Sequence, residues 1–134
     1  MPRTKRKTFI IGCSSRKKGK KAKAIDLYDG PLWQTLRKHG TGNNRIMALS
    51  AKYGLIPADK VIADYDCLLG RDVSSEQLVS KLKKQMKKYR LRNVHVVTSK
   101  KYCAALEKAG LKDFKFVTGG IGDKRKKLRI LVGG

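Results

Sequence analysis

Carboxylates are what this sequence has least of. Only 10 of its 134 residues are Asp or Glu, against 33 Lys and Arg, which leaves a formal charge of +23. Glu76 and Glu107 are the only glutamates. That excludes the Glu–Lys ion-pair networks of a heat-adapted surface as the reason for so many cations. Cysteine is scarce too: Cys13, Cys67 and Cys103 stand far apart, and His39 and His95 share no ligand spacing with them or with each other. The pattern argues against a zinc site, and no metal is expected. An odd number of thiols points to a reducing compartment. No apolar run reaches the ~20 residues of a membrane span, and the first residues lack a signal-peptide apolar stretch. The expectation is a cytoplasmic protein (nuclear, if its host has a nucleus) with no membrane partner. Nucleotide-binding glycine motifs are missing as well. The G-x-x-x-x-G-K-[ST] spacing does not occur, and Gly119-Gly120-Ile121-Gly122 shows neither a following helix pattern nor an acidic partner. No cofactor is expected.

What is present is positive charge, and it repels itself unless a polyanion offsets it. DNA or RNA is the expected partner, since each phosphate neutralised releases a counterion. Residues 1–7 read as a basic arm without apolar periodicity, expected to be disordered until it meets phosphate. Residues 8–134 fit a single domain with one core.

Within that domain, short apolar runs alternate with helical patterns. Strands are expected at Thr8–Gly12, Arg45–Ser50, Val94–Thr98 and Phe114–Thr118. A helical turn is expected at Ala24–Tyr28 and a helix from Pro31 to His39. Ser74 with Gln77 forms a capping box before a helix whose apolar stripe is Leu78, Leu82, Met86 or Gln85, and Tyr89. The lysines on its other face, up to Arg92, read as a solvated or phosphate-tracking surface. Ser99 can cap a further helix ending at Gly110. Ala51–Pro57 reads as a loop, and Lys124–Val132 fits a helix or a strand. Strand–helix alternation of this kind predicts an α/β fold, a small three-layer sandwich with a mainly parallel four-stranded sheet.

Ligands of such sheets bind at the carboxyl ends of the strands. The loops expected there carry Cys13, Ser14, Ser15, Arg16, Lys17 and Lys18, then Ser50, Lys52, Tyr53 and Gly54, then Ser99 and Lys100, then Gly119, Gly120 and Gly122. Small residues after Gly12 followed by cations form a candidate anion cradle. Candidate phosphate contacts are Arg16, Lys18, Lys20, Lys21, Lys124 and Arg125. Cys13 fits a packing or ligand-contact role better than that of a nucleophile, because no base adjoins it in sequence. Asp64-Tyr65-Asp66 is the sharpest acidic feature of the chain. Either carboxylate is a candidate to position water or stabilise a sugar cation, and Tyr65 to stack on a base. The alternative is a turn with a core tyrosine and two ion pairs. Tyr28 and Trp33 read as core residues.

Four segments also carry a resemblance: Gly12-Cys13-Ser14-Ser15-Arg16-Lys17, Leu27-Tyr28-Asp29-Gly30, the Leu49–Pro57 run L-S-A-K-Y-G-L-I-P, and Asp64-Tyr65-Asp66. Together they resemble a family of short uncharacterised proteins from archaea, bacteria and phages. They are distantly similar to the YaaA peroxide-stress proteins, and the Cys13–Lys17 segment is similar to one in a domain of archaeosine synthase. The resemblance implies a DNA-associated or base-modifying α/β domain with a shape like the uracil-DNA glycosylases.

The function expected from all this is base modification or base excision, at the N-glycosidic bond, on DNA or RNA. Asp64, Asp66 and Lys52 are the candidate catalytic residues. Cys13, Ser14, Ser15, Lys17, Ser50, Tyr53, Gly54, Tyr65, Ser99, Gly119 and Gly120 are the candidate substrate contacts. A non-enzymatic DNA- or RNA-binding protein, including a ribosome-associated factor, is the alternative.

Overall fold

The computed structural model describes residues 6–13, 20–65 and 67–133. In chain order its elements are β1 (Thr8–Gly12), β2 (Lys21–Lys23), α1 (Ala24–Leu27), α2 (Pro31–His39), β3 (Arg45–Ser50), β4 (Gly54–Pro57), β5 (Val61–Ala63), α3 (Ser75–Lys88), β6 (Val94–Val97), α4 (Lys100–Lys108), β7 (Phe114–Phe116) and α5 (Ile121–Gly133).

The central strands are apolar at every second residue on both faces, as strands covered by helices on each side must be. Phe9 and Ile11 of β1, with Ile46 and Ala48 of β3, enter one core cluster together with Leu27, Trp33, Leu36, Leu128 and Val132 from α1, α2 and α5. Ile10, Met47, Leu49, Val94 and Val96 enter the other, together with Leu78, Leu82, Cys103 and Leu106 from α3 and α4. Burying Leu78 and Leu82 contributes about 1.5–3 kcal/mol each. The capping box at Ser74 is present, with Ser74 accepting from the Gln77 amide and Gln77 accepting in return.

The sheet has five strands in the order β4-β3-β1-β6-β7. Its four anticipated strands are parallel, with Phe9 opposite Ile46 and His95, and Val94 opposite Phe114. Two expectations are corrected. The sheet is mixed rather than a four-stranded mainly parallel one, because Gly54–Pro57 is an antiparallel edge strand paired Ser50 to Gly54. Its flanking glycine and proline read as loop punctuation, and four residues are too few to show a period. The second correction concerns Gly119–Gly122, which does lead into a helix: α5 starts at Ile121 and settles the open assignment of 124–132. Its buried residues are only Leu128 and Val132, too sparse a stripe to stand out among its cations. A further antiparallel ribbon, β2 with β5, pairs Lys21 with Ala63.

This order makes β1 the switch point of the sheet. The chain leaves it for β3 on one side, and β6 later enters on the other. The loops after β1, β3, β6 and β7 therefore share the carboxyl edge. At the switch, a side chain on Gly12 would collide with the Thr98 side chain just after β6, so glycine there suits the close approach of the two strand ends.

Candidate functional site

The carboxyl edge beside β1 and β3 gathers phenols. Tyr28 follows α1 directly and is fully buried, because its ring packs on Trp33 with centroids 5.3 Å apart. Trp33 in turn donates its indole N–H to the Gly12 carbonyl at 2.9 Å, fastening α2 to the end of β1. The Tyr28 hydroxyl meets that of Tyr65 at 2.5 Å. Tyr65 presents its ring edge-on to Tyr28 and, at 5.3 Å and 87°, to Tyr53. Cys13 Sγ lies 3.9 Å from the Tyr102 hydroxyl, which brings the first turns of α4 into the same cluster.

Ser50 holds the turn that places Tyr53. It is buried, its Oγ accepts the Tyr53 amide at 2.9 Å, and it opposes the rise in the pKa values of the Tyr28 and Tyr65 phenols. Gly54 then turns the chain with φ of +68°, a conformation that favours glycine. Gln85 of α3 braces this corner from the other face, donating to the Tyr53 carbonyl at 2.8 Å and accepting from the Leu55 amide at 2.7 Å. Lys81 donates to the Lys52 carbonyl at 2.7 Å. Lys52 itself is exposed, its ammonium 5.3 Å from the ring centroids of both Tyr53 and Tyr65, within the reach of cation–π attraction.

Electrostatically the cluster is a set of neutral donors. Burial pushes the Tyr28 phenol up to about 12, against the opposing pull of its bond to Tyr65. Burial also raises Tyr65, with Cys13 and the Tyr28 bond adding to it, and raises Tyr102, again with Cys13 second. At neutral pH all three keep their protons. They can stack and donate hydrogen bonds, and none is a base.

The structure thus brings together Cys13, Ser50, Lys52, Tyr53, Gly54 and Tyr65 among the anticipated residues. Asp64 ends the β2–β5 ribbon, exposed, with its amide donating to the Lys20 carbonyl at 2.7 Å. Lys20 and Lys21 are exposed on the same ribbon. Ser99 is exposed at the start of α4 and makes no side-chain cap bond. Gly119 and Gly120 lie at the β7 end of the edge, two strands from β1, where Gly119 has φ of +112° and Gly120 accepts the first turn of α5. Lys124 reaches back to the Thr98 carbonyl at 3.2 Å, and Arg125 to Thr35 Oγ1 at 3.3 Å. Ser14, Ser15, Arg16, Lys17, Lys18 and Asp66 lie outside the described residues.

Sequence reasoning missed two members of the cluster. Tyr28 reads as core, which it is, yet its hydroxyl reaches the site. Tyr102 lies inside the helix expected after Ser99, where no motif marks it. The available signal was its place within one turn of the carboxyl end of β6. Among the described residues no group of three or more His, Cys, Asp or Glu side chains could hold a metal ion, and no helix is long and apolar enough to cross a membrane. His95 is a core residue, stacked on Phe9, with its pKa lowered by burial and by Lys115 and Lys7.

The model of a family of unknown function, DUF6884, matches residues 8–125. No curated protein and no solved structure matches the chain.

Proposed function

The chain belongs to that family of unknown function, and from its own residues we propose that it acts on a nucleobase or its N-glycosidic bond within DNA or RNA. One observation carries this: half-buried Tyr53 and Tyr65 sit beneath the Lys52 ammonium at the carboxyl edge beside β1 and β3. Aromatic faces, neutral phenol donors and a cation are what an extruded base and its phosphate need. The excess of 33 basic over 10 acidic residues supplies the attraction for the polyanion. The resemblance of the Leu49–Pro57 run to YaaA proteins, and of Cys13–Lys17 to a segment of archaeosine synthase, implies the same kind of function. In this scheme Tyr53 stacks on the base and Lys52 holds phosphate or the departing base. Asp64 or Asp66 positions water. Cys13, 3.9 Å from the Tyr102 hydroxyl, contacts the ligand.

Base release and binding measured side by side test the proposal. Asp64→Asn or Asp66→Asn is expected to lower release by roughly two to four orders of magnitude, the scale of general-base catalysis, with binding kept or tightened. Tyr53→Ala is expected to weaken binding by about 1–3 kcal/mol, the worth of one stacked base. Lys52→Ala is expected to weaken both. No release from any DNA or RNA, modified bases included, would favour a binding protein without chemistry. That second reading draws on the exposure of Asp64, whose backbone closes the ribbon.

A further inference from the structure

A charge of +23 does not say where a polyanion lies, because cations cover several elements. Many of them are occupied by the protein itself. Arg37 donates to the Ile25 and Tyr28 carbonyls and pairs with Asp29, Arg45 donates to the Arg90 carbonyl, and Lys81 and Lys127 donate to the carbonyls of Lys52 and Thr118. The groove between α2 and α5 differs. It encloses about 270 Å³ and is lined by Thr35, His39, Gly122, Arg125, Lys126 and Arg129. Three full cations and a histidine meet there without a carboxylate in the lining.

The spacing follows from the helix. Residues 122, 125, 126 and 129 recur at intervals of three and four, so they share one face of α5. Leu128 and Val132 face the core and leave that row outward. Thr35 is buried, donates to the Pro31 carbonyl, and accepts Arg125 Nε at 3.3 Å. The guanidinium is thereby aimed, while its Nη groups, Lys126 Nζ and Arg129 have no hydrogen-bond partner among the described residues. At Gly122 a side chain would meet nothing within 4 Å, so a ligand can approach the backbone. Helices α2 and α5 both begin at the carboxyl edge, because each follows a loop there. The groove therefore leads away from the edge that holds the tyrosine cluster.

We infer that the α2–α5 groove holds the sugar–phosphate backbone of the nucleic acid, with Arg125, Lys126 and Arg129 on its phosphates. The inference deepens the nucleic-acid reading and rests on it. Cations without acids repel one another in such a groove, and a run of phosphates relieves that repulsion while releasing counterions.

The test compares two double variants by the slope of log affinity against log salt. Removing two phosphate contacts with Arg125→Ala plus Arg129→Ala is expected to flatten the slope by about 1.4 on single strands and 1.8 on duplex DNA. Lys108→Ala plus Lys112→Ala, exposed at the end of α4 and just beyond it, is expected to leave it unchanged. Circular dichroism confirms that each variant is folded. Equal flattening by both pairs would overturn the groove in favour of diffuse attraction. So would polyglutamate binding as tightly as nucleic acid, or inorganic phosphate alone competing at the affinity of a strand. An unmoved slope in a protein that still binds would sink the groove and leave the base reading standing. A flattened slope without base release would keep the groove and remove the chemistry. No affinity in the wild type would remove both.

Discussion

Tyr28 is neutral because it is buried, and it is buried because Trp33 and the end of β1 close over it. Its phenol is raised from 10.0 to about 12. A group whose folded pKa lies above its unfolded value contributes stability that is fully present below the lower pKa and is lost as pH climbs through the higher. The protein is therefore expected to lose stability between about pH 10 and 12, and Tyr28→Phe to move that alkaline loss upward. Far-ultraviolet circular dichroism during alkaline titration, with tyrosinate absorbance in parallel, reads it. Identical alkaline midpoints in the two proteins would show that Tyr28 does not control the transition.

At the scale of elements, the site depends on a corner built by three parts of the chain. Ser50 sets the turn, Gly54 reverses it, and Gln85 of α3 takes the place of a further strand by bonding to Tyr53 and Leu55. Leu55 is buried. Removing the amide strands a buried N–H at the start of β4, which costs about 1–3 kcal/mol. Gln85→Ala is expected to lower the unfolding free energy by that amount, read from denaturant melts. It is also expected to weaken nucleic-acid binding, because Tyr53 and Lys52 ride on the same turn. A variant with reduced stability but wild-type binding would separate the corner from the site.

Over the whole molecule, the +23 charge opposes compaction. Raising salt from about 0.01 to 0.1 M shortens the screening length from ~30 to ~10 Å, so the melting temperature is expected to rise over that range while affinity for DNA or RNA falls. Calorimetry and a binding titration in the same buffers measure the two opposite trends. A melting temperature that stays flat would mean the cations are already offset within the fold.

Four parallel strands, the capped α3 and the polar loops of one sheet edge were legible in the sequence. Short unbroken apolar runs, a capping box and the rule placing ligands at carboxyl ends are all local or topological signals. The same signals place Cys13, Ser50 and Tyr53 at one sheet edge, whereas Tyr65, which follows the β2–β5 ribbon, is brought to them only by the fold. They do not reveal β4, whose partner β3 and brace Gln85 define it more than its own four residues do. Nor do they reveal Tyr102 or the groove at Arg125 and Arg129. Which of 33 cations is spent on a backbone carbonyl and which is left for a ligand depends on distances between helices far apart in sequence. Composition set the charge and the likeliness of strands and helices to form where they do; long-range packing alone decided which charges face one another.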